Sequence, residues 1–170
     1  MKKLILVFAA TLAISCGNNK KEESETKIGT QVEEPTPIQA ETTDDSVAEV
    51  LITGNDQMKF NKTEIRVKAG QTVRLTLKHV GEMQITVMGH NWALLTQDAD
   101  IAAVGQAAAV AADTDYIPME MADKIIVHTK MLGGGESDTI EFEAPAPGTY
   151  TFMCTFPGHY ALMQGKFIVE

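Results

Sequence analysis

A chain of 170 residues with 44% apolar and 22% charged side chains has room for one ordinary domain plus appendages. Its formal charge of −9 divides as +2 over residues 1–16, −5 over 17–46 and −6 over 47–170, and no basic cluster rises above the rest. Nucleic acid is therefore disfavoured as a partner.

Residues 1–16 read as a signal peptide: Lys2 and Lys3 make a basic start and Leu4 to Ile14 an apolar core, too short to be a comfortable membrane span. Ala13-Ile14-Ser15-Cys16 resembles a bacterial lipobox, which implies that Cys16 is lipidated and tethers the chain to a bacterial membrane. The alternative is an ordinary cleavable signal with Cys16 near its end by chance. Residues 17–46 hold three Lys against eight acids and almost no large apolar side chains, the composition of a disordered acidic tether. If Cys16 is lipidated, the second cysteine, Cys154, has no partner for a disulfide. In an exported protein a bound metal is the economical protection for such a thiol.

From Val47 onward the pattern is β. Val73, Leu75 and Leu77 alternate with polar residues, and His79 continues their parity; Ile140, Phe142 and Ala144, then Tyr150, Phe152 and Cys154, then Phe167 and Val169 repeat the period of two. KIIVHTK (124–130) is a further strand, Gly133-Gly134-Gly135 a turn, and Pro145, Pro147 and Gly148 punctuate the step into the strand that ends at Cys154. Short strands with turns between them predict an all-β sandwich over 47–170. One stretch departs from this: DADIAAVGQAAAVAA (98–112) predicts a short helix capped by Asp98 and packed outside the sandwich.

The chemistry concentrates in YTFMCTFPGHYALM (150–163), where Cys154, His159 and Met163 are spaced Cys-x4-His-x3-Met. Thiolate, imidazole and thioether form a soft set that suits copper cycling between Cu(I) and Cu(II) and not magnesium or calcium. A trigonal site with a weak axial Met needs a second histidine, and His90 in VMGHNW is the candidate. A buried structural cysteine, a core histidine or a core-filling methionine is the commoner role of each residue alone; the combination at this spacing argues against that.

GNDQMKFN (54–61), VMGHNW (87–92), HTK (128–130) and CTFPGHYALM (154–163) resemble the azurins, blue (type 1) copper electron-transfer proteins of the cupredoxin family, over about residues 47–170. The resemblance implies a Greek-key β-sandwich or barrel with one short outer helix. It implies one copper per chain, with Cys154, His90 and His159 in the trigonal plane, Met163 as weak axial ligand and the carbonyl of Gly89 opposite it. Asn91 is then expected to bridge the two ligand loops, and the backbone N–H groups of Asn91 and Phe156 to point at the Cys154 sulfur. His79 and His128 match azurin histidines that are not ligands, His79 buried by its strand parity and His128 exposed. Met58, Met83, Met88, Phe156, Pro157 and Leu162 match a hydrophobic face around the exposed edge of His159, where redox proteins would dock. The disulfide of familiar azurins is missing near Ala48 and Gln71, which leaves the first strand without that tie.

The function expected is single-electron transfer at the cell envelope, in the periplasm or at the surface. Enzymatic catalysis is not expected, since the site offers no open position and no acid–base pair. A copper storage or delivery lipoprotein, and a structural lipoprotein that uses copper only for stability, are the alternatives.

Overall fold

The computed structural model describes residues 45–170, so the signal-peptide, lipobox and almost all of the tether expectations lie outside the described residues. In chain order the strands are β1 (Val47–Asn55), β2 (Lys59–Phe60), β3 (Glu64–Val67), β4 (Thr72–His79), β5 (Ala93–Leu95), β6 (Ile125–His128), β7 (Ser137–Glu143), β8 (Gly148–Met153) and β9 (Gln164–Val169). The alternation read from the sequence is realised in β4, which buries Val73, Leu75, Leu77 and His79 and turns Arg74 and Lys78 to solvent. It pairs in parallel with β1, from Val47 opposite Thr72 to Gly54 opposite His79, and antiparallel with β7. The first sheet runs β2-β1-β4-β7 and the second β3-β9-β8-β5-β6. Because β3 joins the second sheet before β4 returns to the first, consecutive strands change layers, as in a Greek-key sandwich.

Ile52, Leu75, Leu77, Phe152 and Phe167 are fully buried in the core. Trp92 sits among them, its ring centroid 5.7 Å from Phe152, 6.0 Å from Phe142 and 6.1 Å from Phe167. Burying side chains of this size is the main driving force holding the layers together. On the outer face of the first sheet Arg74 pairs with both Glu49 and Glu141 across the strands. These pairs are exposed and contribute little to stability.

The start of β1, where the disulfide is missing, is held by hydrogen bonds. Gln71 Nε2 donates to the Asp45 carbonyl at 2.8 Å, Thr72 N to the Ser46 carbonyl at 2.9 Å, and Lys68 Nζ lies 2.8 Å from the Asp45 carboxylate.

Two helical features differ from expectation. The helix expected over 98–112 is shorter, α2 (Ile101–Ala108), and its cap is Asp100, whose carboxylate accepts from Ala102 N at 2.8 Å and Ala103 N at 3.2 Å. Asp98 is engaged elsewhere, with the Thr96 hydroxyl and the Lys124 ammonium at 2.7 and 2.8 Å. A second helical turn, α1 (Ile85–Met88), was not expected, because Ile85, Thr86 and Val87 read as strand formers. It is held by Val87 N and Met88 N donating to the Gln84 carbonyl, both at 2.9 Å.

The buried face of α2 is Val104, Gly105 and Ala108, and Val104 packs with Leu95 and Met153. At Gly105 an added Cβ would lie 2.3 Å from Cδ1 of Tyr160, the residue after His159. Gly105→Ala is therefore expected to lower stability by about 1–3 kcal/mol in urea unfolding, although alanine alone favours a helix by about 1 kcal/mol over glycine. A stabilised variant would show that Tyr160 moves aside freely.

Candidate metal centre

The stretch after β8 folds back at once. Cys154 N donates to the Met163 carbonyl at 2.9 Å, and Met163 N to the His159 carbonyl at 2.8 Å, closing the loop around a 3₁₀ turn over His159–Ala161. Gly158, at φ +80°, makes the left-handed turn into it. The second loop follows α1, and His90 is clamped there by a reciprocal pair with Leu132, N to O at 3.0 and 2.8 Å. Asn91 joins the two loops: its side chain donates to Thr155 Oγ1 at 2.7 Å and accepts from Thr155 N at 2.8 Å, in a fully buried contact.

This arrangement brings His90, Cys154 and His159 together, with their donor atoms all within 4.8 Å of one another. Cys154 and His90 are fully buried and His159 is 4% exposed. The Cys154 sulfur lies 3.6 Å from His159 Nδ1 and 3.8 Å from the Gly89 carbonyl oxygen. Met163, also fully buried, places its methyl beside the His90 ring, both against Gly54. A Cβ at Gly54 would lie 2.8 Å from His90 Cδ2, so only glycine lets the first strand pass this close.

The protonation states follow from burial. His90 Nε2 lies 2.9 Å from the Asn55 carbonyl, an acceptor only, so that nitrogen carries the proton and Nδ1 keeps a lone pair. That buried Nδ1 has no hydrogen-bond partner, an expensive omission unless something else binds it. Burial lowers the pKa of His90 and brings that of His159 down to about 4, helped at His159 by the neighbouring His90 and His79 rings. Burial pushes the Cys154 thiol up to about 12, against the pull of the Asn91 and Phe156 N–H groups. Two neutral imidazoles, an orphaned lone pair and a shielded sulfur fit a soft or borderline metal, and copper in particular.

The comparisons agree with this chemistry. The family model "Copper binding proteins, plastocyanin/azurin family" matches residues 47–170. The chain belongs to the plastocyanin/azurin family of copper-binding proteins. It is 44% identical over 121 residues to Azurin-1 of Alcaligenes xylosoxydans xylosoxydans, covering 68% of this chain and 92% of that protein. Outer membrane protein H.8 of Neisseria gonorrhoeae is 42% identical over 118 residues, 68% of this chain and 63% of that protein. Among solved structures, the "blue" copper protein auracyanin A of Chloroflexus aurantiacus superposes with TM-score 0.65 at 35% identity, over 73% of this chain and 99% of that one.

Within this plastocyanin/azurin domain the other two histidines divide by strand position. His79 is fully buried and stacks on His90 with ring centroids 4.3 Å apart, while His128 is exposed on β6. Three contributors to the centre escaped the sequence reading, although the GNDQM stretch contains two of them. Asn55 shapes the turn that aims its carbonyl at His90, its Oδ1 accepting from Gln57 N at 3.0 Å and Lys59 N at 3.3 Å. Asp56 accepts from Glu82 N at 2.9 Å and Met83 N at 3.4 Å and stands 3.8 Å from His79 Nε2, tying the turn to the segment leading into α1. Thr155 is the partner of Asn91.

The expected hydrophobic face is altered in two respects. Phe156 is only 8% exposed; it lies under the surface, 4.6 Å from the His159 ring and 5.2 Å from Tyr116 between centroids, and is not itself presented. Met83 and Leu162 are exposed, and Met58, Met88 and Pro157 half-buried. Ile85 and Val87 of α1, at 40% and 61% exposure, add large apolar side chains between Met83 and Met88 in the chain.

Proposed function

We propose that this chain is an electron carrier of the cell envelope whose Cys154, His90 and His159, together with Met163 and the Gly89 carbonyl, would hold one copper. The observation that carries the reading is the buried cluster of one thiol and two neutral imidazoles, with His90 Nδ1 unpartnered. Copper, when bound, supplies a one-electron couple. The chain's own part is to hold a geometry that need not change between oxidation states. The Asn91–Thr155 bridge fixes the two loops against each other, the Asn55 carbonyl fixes the His90 ring, and burial excludes water. N–H groups of Asn91 and Phe156 directed at the sulfur stabilise the thiolate without making it reactive.

Electrons would pass through the edge of His159 that reaches the surface, with Met83, Met88, Ile85, Val87 and Leu162 forming the apolar contact for a redox partner. Met88→Lys is expected to slow self-exchange and partner reduction by at least about tenfold while leaving the visible spectrum unchanged, because the added charge must be desolvated or faces its own copy. Stopped-flow reduction kinetics together with the spectrum test this. Unchanged rates would exclude that face.

Lipidation at Cys16 with residues 17–46 as tether completes the reading, supported by the lipobox-like sequence and by similarity to a protein named as an outer membrane protein. Cys16→Ala is expected to release the protein from membranes with its copper spectrum intact. Continued fractionation with membranes would reject the anchor. Storage or delivery of copper is the second reading; ready transfer of copper to an acceptor, without a reversible one-electron couple, would select it.

A further inference from the structure

Helix α2 reads IAAVGQAA, and in a helix interior glycine is a poorer choice than the alanines around it. Gly105 is nevertheless buried there, under the ring of Tyr160. An added Cβ would stand 2.3 Å from Cδ1, 2.6 Å from Cγ and 2.8 Å from Cε1, so one side of the ring rests on bare helix backbone. Tyr160 is held at its own backbone too, where its carbonyl accepts from Gln164 Nε2 at 3.0 Å. Its ring also packs on a small core distinct from the main one. Leu95, Val104 and Met153 are fully buried in it, with Ile101, Met121 and Ile125 around them.

Two members of this small core flank the candidate metal ligands. Met153 immediately precedes Cys154, and Tyr160 immediately follows His159. The chain thus leaves the core at Met153 and returns to it at Tyr160, with the thiol and one imidazole at the two ends of the loop between. Fixing both ends of so short a loop removes much of its conformational freedom. The Asn91–Thr155 bond steadies the Cys154 end, since Thr155 is the next residue. The His159 end is differently placed. Its backbone bonds run to Phe156, Leu162 and Met163, all close by in the chain, so they shape the turn without fastening it to another element. Tyr160 supplies that fastening, to α2.

We propose that Tyr160 is a positioning residue for the ligand loop: its ring, seated on Gly105 of α2, fixes where His159 stands relative to Cys154. That the fixed groups hold copper rests on the electron-carrier reading; that α2 fixes them does not. The test is amide hydrogen exchange on the full chain, with Cu(I) bound and metal-free, in Tyr160→Ala and Tyr160→Phe. In Tyr160→Ala the amides of Cys154 and Met163, whose bonds close the loop, should exchange at least about tenfold faster relative to those of β4. Affinity for Cu(I), measured by competition with bathocuproine disulfonate, should fall at least about tenfold. Tyr160→Phe keeps the ring and should restore both. Val73→Ala, a cavity in the main core, is the control for general destabilisation and should speed exchange without favouring the loop. Gly105→Ala reaches the same contact from the helix side, which serves if Tyr160→Ala does not fold. It should speed the same two amides, and should add nothing once Tyr160→Ala is present. Uniform acceleration in Tyr160→Ala, an unchanged copper affinity, or a Tyr160→Phe that behaves like Tyr160→Ala would overturn the proposal. A parent chain that takes up no copper, with the same selective exchange in Tyr160→Ala, loses the carrier reading and keeps the positioning role.

Discussion

Cys154→Ser is expected to abolish the intense absorption near the red end of the visible and the narrow copper hyperfine pattern, while the chain still folds. The colour requires charge transfer from a thiolate, and a serine hydroxyl has neither the low ionisation energy nor the softness to supply it. The fold should survive because the hydroxyl fits the space and keeps the Asn91 and Phe156 N–H groups as donors. The cost of burying it is about 1–3 kcal/mol. Visible and paramagnetic resonance spectra with Cu(II), together with far-UV circular dichroism, check both halves. A blue band that survives in Cys154→Ser would remove Cys154 from the centre.

The second large effect is a proton linkage. With its thiol pushed up to about 12, Cys154 holds its proton at neutral pH, whereas His159, brought down to about 4, is already neutral. Loading copper should therefore release one proton per ion between about pH 6 and 9, and the apparent affinity should rise about tenfold per pH unit. Near pH 4 His159 begins to take up a proton and the dependence steepens. Calorimetric titrations in buffers of different ionisation enthalpy count the protons; a count of zero would mean that the thiolate exists before the metal arrives. In the metal-free chain the same shifts act on stability with opposite pH signs. The unfolded His159 imidazole takes a proton first, so stability falls as pH drops from 6.5 towards 4. The unfolded Cys154 thiol ionises first, so stability falls as pH rises from 9.0 towards 12.

The sequence by itself determined the layered β architecture and pointed to the residues that cluster as His90, Cys154 and His159. Residues that alternate in one strand must share a face, so Val73, Leu75, Leu77 and His79 declared their burial locally. Cys154, His159 and Met163 sit on one short loop, so their spacing limits how far apart they can lie. Strand parity likewise separated buried His79 from exposed His128. The tertiary structure decided everything that depends on which distant groups meet. Asp98 and Asp100 are equally good caps in sequence, and only the position of Lys124 shows that Asp98 is taken. The helical turn at Ile85–Met88 overrides the strand preference of its β-branched residues, and with that reversal Ile85 and Val87 come to the surface. Phe156 looked like a surface contact until its ring was found against His159 and Tyr116. The tautomer of His90 is set by the carbonyl of Asn55, thirty-five positions away, and the bond between the two ligand loops by Asn91 and Thr155, sixty-four apart. Periodicity and spacing report only on neighbours along the chain, whereas proton positions, ring orientation and exposure are fixed by contacts between segments that meet only when the two sheets close.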